Sequence, residues 1–415
     1  MFKLYSLLYL LGFLFYLPKE ILKRKNQEPF KWLREKLGMI EPPAFETKRP
    51  VIWIHAVSVG EVLAVSPLIE LLSKTYNIVL TTITLTGREV AKKRLKDLPV
   101  KIYYLPLDLK LPLLNFLKKT EAKVLLITET ELWPNLIDTI SKKIPVALIN
   151  GRISERSFKR YKLFKFFFKP LLNRLKFLAV QEEIYAERFK ALEVNSEKIK
   201  IVGNLKFDLF IPEKDFKELE ILPKPIIIAG STHYPEEKII LQSFLKAVNK
   251  GTLIIVPRHP ERFREVEEII LSQINSEVDY LRYTTLKHLS LSSLKSQVVL
   301  LFDEMGILSS LYKIGNLAII GGSFIPHGGQ NPLEAIYWKK PVVTGPHMEN
   351  FPFIKEFVKE KAIIETSAES LPQVLKSLFE NEKLMENMAE KAYKLFLSKR
   401  GALERTKNLI DELFS

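Results

Sequence analysis

Cysteine is absent from the 415 residues, so a disulfide framework, a thiolate zinc site and a cysteine nucleophile are all excluded. Histidine is scarce, with six residues and no HExxH spacing, and no dedicated metal site is expected. The Gly-x-Gly-x-x-Gly and Walker A spacings are both missing, which disfavours ordinary dinucleotide or nucleoside triphosphate binding. No A-x-A-like exit follows the apolar N-terminal run, so cleavage as a signal peptide is not expected. The first half is also short of acidic residues. Residues 1–210 hold 37 Lys and Arg against 21 Asp and Glu, whereas the remaining 205 hold 26 against 27. A net of +16 in one half and −1 in the other implies an anionic partner for the first half: nucleic acid, an anionic membrane surface or a phosphorylated substrate.

Against these absences stands a long apolar run at the start. Leu4 to Leu17 is nearly all apolar and aromatic, and Lys19, Lys23, Arg24 and Lys25 follow it. Fourteen helical residues reach about 21 Å, short of a hydrocarbon core of about 30 Å. Two readings stand: a short signal anchor, or a helix lying in the interface. The basic cluster after the run would keep the globular part in the cytoplasm. Further on, Gly151 to Phe177 interleaves nine Lys and Arg with seven Phe and Tyr rings. Such a mixture suits an interfacial segment, and also single-stranded nucleic acid. Beside an apolar N-terminus the bilayer is the more economical partner, and no nucleic acid is expected. Part of this stretch is core packing.

From Val51 onward, strand and helix patterns alternate. Apolar runs at Val51–Ile54, Ile78–Leu80, Ile102–Leu105, Val124–Ile127, Val146–Ile149, Leu178–Gln181 and Ile199–Val202 predict one parallel sheet covered on both faces. Runs at Ile226–Gly230, Leu253–Val256, Val298–Phe302, Leu317–Ile320 and Pro341–Val343 predict a second. The proline-bounded, acidic stretch between them reads as a linker. The expected organisation is an N-terminal membrane helix over 1–25, an α/β domain over 26–210 and a linker over 211–225. A second α/β domain over 226–395 follows, with a C-terminal helix over 396–415 that crosses back to the first domain. Two Rossmann-like domains with one hinge, facing a central cleft, fit the architecture called GT-B.

Candidate site residues fall where predicted strands end. His55-Ala56-Val57-Ser58-Val59-Gly60-Glu61 is a strand, a tight turn and a helix start. Glu61 is the ionisable group at that helix entry, and helix capping alone explains an acid there. In the second half, four loops follow strands: Gly230-Ser231-Thr232-His233, Pro257-Arg258-His259-Pro260, Asp303-Glu304-Met305-Gly306, and Gly321-Gly322-Ser323-Phe324 continuing to His327-Gly328-Gly329-Gln330-Asn331-Pro332-Leu333-Glu334. Glycines let backbone approach a ligand, and a guanidinium at Arg258 grips phosphate with two hydrogen bonds. Met305-Gly306 ahead of a short helix suits a phosphate, and Glu334 can accept from both hydroxyls of a ribose. Each loop alone is explained as a capped turn. All four at the ends of one sheet point to a nucleotide.

Together the HAVSVGE loop, Thr128 to Asn135 (TETELWPN), Pro257–Pro260 and HGGQNPLE resemble the 3-deoxy-D-manno-octulosonic acid (Kdo) transferases of lipopolysaccharide synthesis. The resemblance runs from about Trp32 onward. It implies a GT-B fold and inverting transfer of Kdo from CMP-Kdo to the 6′-hydroxyl of a lipid A precursor (lipid IVA), without a catalytic metal or other cofactor. It places the reaction on the cytoplasmic face of the inner membrane, against an anionic surface. Glu61 matches the family's general base, and Glu129 or Glu131 a second acidic position. Asn331 and Glu334 match CMP-contacting positions. Arg88 is a plausible partner for the acceptor phosphate and Lys206 for the Kdo carboxylate. With Lys206, the expected donor set is Ser231, Thr232, Arg258, His259, Met305, Gly306, Gly322, Ser323, Asn331 and Glu334. The rivals are another GT-B nucleotide-sugar:lipid transferase and a non-catalytic membrane-bound anion binder.

Overall fold

Trp53 faces one side of its strand while Ile52 and Ile54 face the other, and all three are fully buried. That alternation, repeated in Val124–Thr128, gives the first sheet two apolar faces, each needing a helical cover. The computed structural model describes residues 2–24, 28–288 and 294–414; Lys25 of the basic cluster lies outside the described residues. The chain divides into two compact units, residues 1–209 with 399–415, and residues 210–398.

The first unit holds β1 (Val51–His55), β2 (Asn77–Thr82), β3 (Val100–Tyr104), β4 (Val124–Thr128), β5 (Val146–Gly151), β6 (Leu178–Val180) and β7 (Ile199–Ile201). They lie in the order β3-β2-β1-β4-β5-β6-β7, every neighbour parallel. The order reverses between β1 and β4. In an open parallel sheet that switch point is where loops part and ligands bind.

The second unit holds β8 (Ile226–Thr232), β9 (Gly251–Pro257), β10 (Val278–Arg282), β11 (Gln297–Leu301), β12 (Leu317–Ile320), β13 (Val342–Thr344) and β14 (Ile364–Glu365). Their order is β10-β11-β9-β8-β12-β13-β14, again all parallel, with the reversal between β8 and β12. Strands β10 and β14 have no counterpart among the sequence-predicted strands. Both are edge strands, half-exposed or two residues long, and therefore carry no continuous apolar run.

Residues 211–225, expected as a linker, pack into the second unit: Ile211, Phe216, Leu219 and Leu222 are buried, and the Phe216 ring meets Phe302 edge-on. The helix Ala402–Asp411 belongs to the first unit. There the Tyr76 hydroxyl donates to Asp411 (2.8 Å), and the Tyr76 ring stacks on Phe414 at 4.6 Å. Asp208 accepts from the amides of Gly401 and Leu403.

Helix α1 (Phe2–Lys23) runs 22 residues, with Pro18 inside it, and is long and apolar enough to cross a membrane by length and composition. Its two faces differ. Phe2, Tyr5, Tyr9 and Phe13, spaced three or four apart, meet the first unit at Phe167, Asp108, Trp133 and Trp32. Leu4, Leu7, Leu8, Leu11, Leu14 and Phe15 lie on the opposite face and are exposed. In the basic, aromatic stretch the division is similar. Phe158, Tyr161, Phe167 and Phe168 pack on the core, while Leu163, Phe164 and Phe166 stay exposed.

Candidate active site

In the first unit the apolar strand β1 ends at His55, and α2 (Val59–Ser73) begins four residues later. His55 is wholly buried with its Nδ1 against Thr81, and burial holds its imidazole down at about 3, which makes it a core residue despite its place in the motif. Glu61 stands in the first turn of α2. Its carboxylate accepts from the Val57 amide (2.9 Å), the Ser58 hydroxyl (3.1 Å) and the Thr128 hydroxyl at the end of β4 (3.0 Å). Capping is therefore part of what Glu61 does. Its contact across the switch point to Thr128 is more than a cap requires. Burial, reinforced by the Glu129 charge, nevertheless raises its pKa against those hydrogen bonds.

Two further carboxylates arrive on the loop after β4. Glu129 adopts a left-handed backbone, φ 54°, which an L residue with a full side chain rarely takes. That turn sets its carboxylate 2.9 Å from Arg152 Nε, at the end of β5. Glu131 is held instead by the Trp133 indole N–H (3.2 Å), and burial followed by the charge of Glu61 pushes it up to about 7. Both acids thus lie at the switch point, one ion-paired and one poised. Lys206 joins them from the first unit. Desolvation lowers its pKa while Glu129 and Glu61 act to raise it. Its loop is fixed by Asn204, which accepts from the Lys206 amide and donates to Gln181. Arg88 is elsewhere: Glu35 grips it with two hydrogen bonds (2.9 and 2.8 Å), and it stacks over Tyr104.

In the second unit the loops after β8 and β12 approach so closely that a Cβ on Gly321 would meet the Ser231 carbonyl at 2.3 Å. Ser231 has φ 57°, and Thr232 is fully buried. The amides of Gly322 (2.6 Å), Ser323 (3.0 Å), Phe324 (2.9 Å) and His233 (3.0 Å) all donate to the buried carboxylate of Glu236. Those amides are engaged internally, so Gly322 and Ser323 offer a ligand the shape of the loop, not free N–H groups. His233 sits between His327 (ring centroids 4.2 Å apart) and His259 (5.5 Å), with neither ring nitrogen hydrogen-bonded. Burial, and then the two neighbouring imidazoles, lower it to about 4. Arg258 and His259 are exposed just beyond β9. The loop after β11 presents Met305 to solvent and turns at Gly306 with φ 88°. Burial pushes Glu334 up to about 7, with Asn331 and Arg258 acting to lower it. Among the described residues no three or more His, Asp or Glu gather as a metal would need.

The family model for 3-deoxy-D-manno-octulosonic-acid transferase matches residues 31–209. The 3-deoxy-D-manno-octulosonic acid transferase of Haemophilus influenzae is 36% identical over 375 residues, spanning 86% of each chain. The chain belongs to the Kdo transferase family. The transferase of Chlamydia trachomatis is 27% identical, over 88% of this chain and 86% of that one. The UDP-GlcNAc 2-epimerase of Neisseria meningitidis superimposes with a TM-score of 0.55 over 88% of this chain and 99% of that one, at 14% identity, which speaks for the fold alone. As a Kdo transferase, the chain is a glycosyltransferase of lipopolysaccharide biosynthesis with the two-unit GT-B type of fold.

Sequence reasoning gave Arg152 and Glu236 no role, and took His233 and His327 only as members of candidate loops. Arg152 follows a strand, as Glu61 does, and that position is a signal in itself. The imidazoles meet only once the strand order is known.

Proposed function

We propose that this Kdo transferase moves Kdo from CMP-Kdo to the 6′-hydroxyl of lipid IVA with inversion at the anomeric carbon. In this reading Glu61 accepts the proton of the acceptor hydroxyl as the new C–O bond forms and the bond to CMP breaks. The observation that carries it is the Glu61 carboxylate, 8% exposed and raised in pKa beside Glu129 and Glu131. A carboxylate shifted toward neutrality is a stronger base at working pH than an ordinary one. The leaving phosphate takes up negative charge, and the Arg258 guanidinium supplies the compensating charge. The reading calls for no resident metal, and turnover is expected to persist in chelator. Lys206 suits the donor carboxylate.

The exposed faces of α1 and of Leu163, Phe164 and Phe166, among basic residues, support attachment to the anionic cytoplasmic face of the inner membrane. The test is an assay with CMP-Kdo and lipid IVA, comparing the wild type with Glu61→Ala, together with calorimetric titration of CMP and UMP. Loss of turnover with CMP binding retained is expected. Near-normal turnover in the variant removes Glu61 as base, and tighter UMP than CMP binding replaces the reading with a UDP-sugar transferase.

A further inference from the structure

We propose that α1 is a positioning element of the active site: it holds the loop 129–135, which carries two of the three carboxylates, in addition to meeting the membrane. The proposal rests on the reading of that loop as part of the acceptor site.

Three ties lead from α1 to the loop. The Tyr5 hydroxyl donates to Asp108 Oδ2 (2.8 Å), and the same carboxylate accepts from the amides of Asn135 (3.1 Å) and Leu136 (2.6 Å), at the first turn of the helix Pro134–Ile140. The Asn135 side chain in turn donates to the Ser6 hydroxyl (2.9 Å) and to the Asp108 carbonyl (2.6 Å). Tyr9 meets Trp133 edge-on, with ring centroids 6.3 Å apart, and the Trp133 indole donates to Glu131 (3.2 Å). A simple tether has no need of a polar face matched to one loop. Here Asp108 is fully buried and serves α1 and the loop with one carboxylate. Removing α1 leaves that carboxylate with one partner fewer, and leaves Trp133 without the ring that stops it swinging away from Glu131.

The experiment compares the wild type with Tyr9→Ala, Tyr9→Phe and the outward-facing pair Leu8→Gln/Leu11→Gln. Three measurements are made on full-length protein: amide hydrogen exchange over 129–136, kcat and KM for CMP-Kdo with lipid IVA in excess non-ionic detergent, and co-sedimentation with phosphatidylglycerol vesicles. Tyr9→Ala is expected to speed exchange over 129–136 and to lower kcat, each roughly tenfold, at nearly constant KM and with vesicle binding kept. Tyr9→Phe keeps the ring and is expected to restore both. The leucine pair is expected to lose vesicle binding and keep kcat. Should Tyr9→Ala fail to fold, Tyr5→Phe with Ser6→Ala, which removes only two hydroxyls, takes its place with the same expectation at smaller size. Unchanged exchange over 129–136, or a kcat loss that only tracks vesicle binding, overturns the proposal. A wild type without turnover overturns the functional reading instead, and exchange still judges the role of α1.

Discussion

Both sheets reverse their strand order at one point, yet the two switch points carry opposite chemistry. Between β1 and β4 the loops bring carboxylates: Glu61, Glu129 and Glu131, with burial raising Glu61 and Glu131. Between β8 and β12 they bring imidazoles, hydroxyls and glycines, and the buried carboxylate there, Glu236, already accepts from four amides. The backbone arrangement is the same, so the difference lies in side chains placed one to seven residues beyond strand ends. One point gathers carboxylates. The other gathers imidazoles around a carboxylate that is already satisfied.

That contrast can be broken in order of expected effect. Glu61→Ala is expected to cut turnover by about 10²–10⁴-fold while CMP affinity, measured by calorimetry, stays within about twofold. A parallel loss of both would mean the two points are not separable. Arg258→Ala is the mirror experiment: CMP binding is expected to weaken about 10–100-fold, as for loss of a charged hydrogen-bonding partner. Next comes Glu131→Gln, read by thermal melts across pH. The Glu131 pKa is raised from 4.5 to about 7, so its contribution to stability is full below 4.5 and is lost as pH rises through 7. The neutral variant is therefore expected to match the wild type at pH 4 and exceed it by about 1–2 kcal/mol at pH 8, once solvent screening is allowed for. The smallest effect belongs to Tyr76→Phe, which removes a hydrogen bond remote from both points. It is expected to cost about 1 kcal/mol in denaturant melts and to leave turnover unchanged.

The strands legible in the sequence are those buried on both faces, because only there does an apolar run persist. Edge strands β10 and β14 lack it. Glu61 is legible as a helix-entry acid after a strand, which capping alone explains; a role as base is implied only by the resemblance. Which of Glu129 and Glu131 matters could not be read, since a left-handed φ at Glu129 turns its side chain toward Arg152, and that angle leaves no trace in residue type. Lys206 reads as a donor contact from its GNLKFD setting, and within the first unit the charges of Glu129 and Glu61 act on it. Arg88 reads as a partner for the acceptor phosphate, yet Glu35, 53 residues away in sequence, holds it with two hydrogen bonds. The stretch 211–225 reads as a linker by its prolines and charges. Its apolar residues are too few to outweigh them by count, but Ile211, Phe216, Leu219 and Leu222 are buried while Ile221 stays exposed.

The first unit is made of two pieces of chain, residues 1–209 and 399–415. Their contacts are specific: Tyr76 with Asp411 and Phe414, and Asp208 with the amides of Gly401 and Leu403. During synthesis the ribosome delivers residues 210–398 first, so the later unit is available to fold while the earlier one still lacks a helix. The order of completion is thus the reverse of the order of translation. A nascent chain closes the unit that carries Glu61 last, after the unit that carries Arg258 can already have formed.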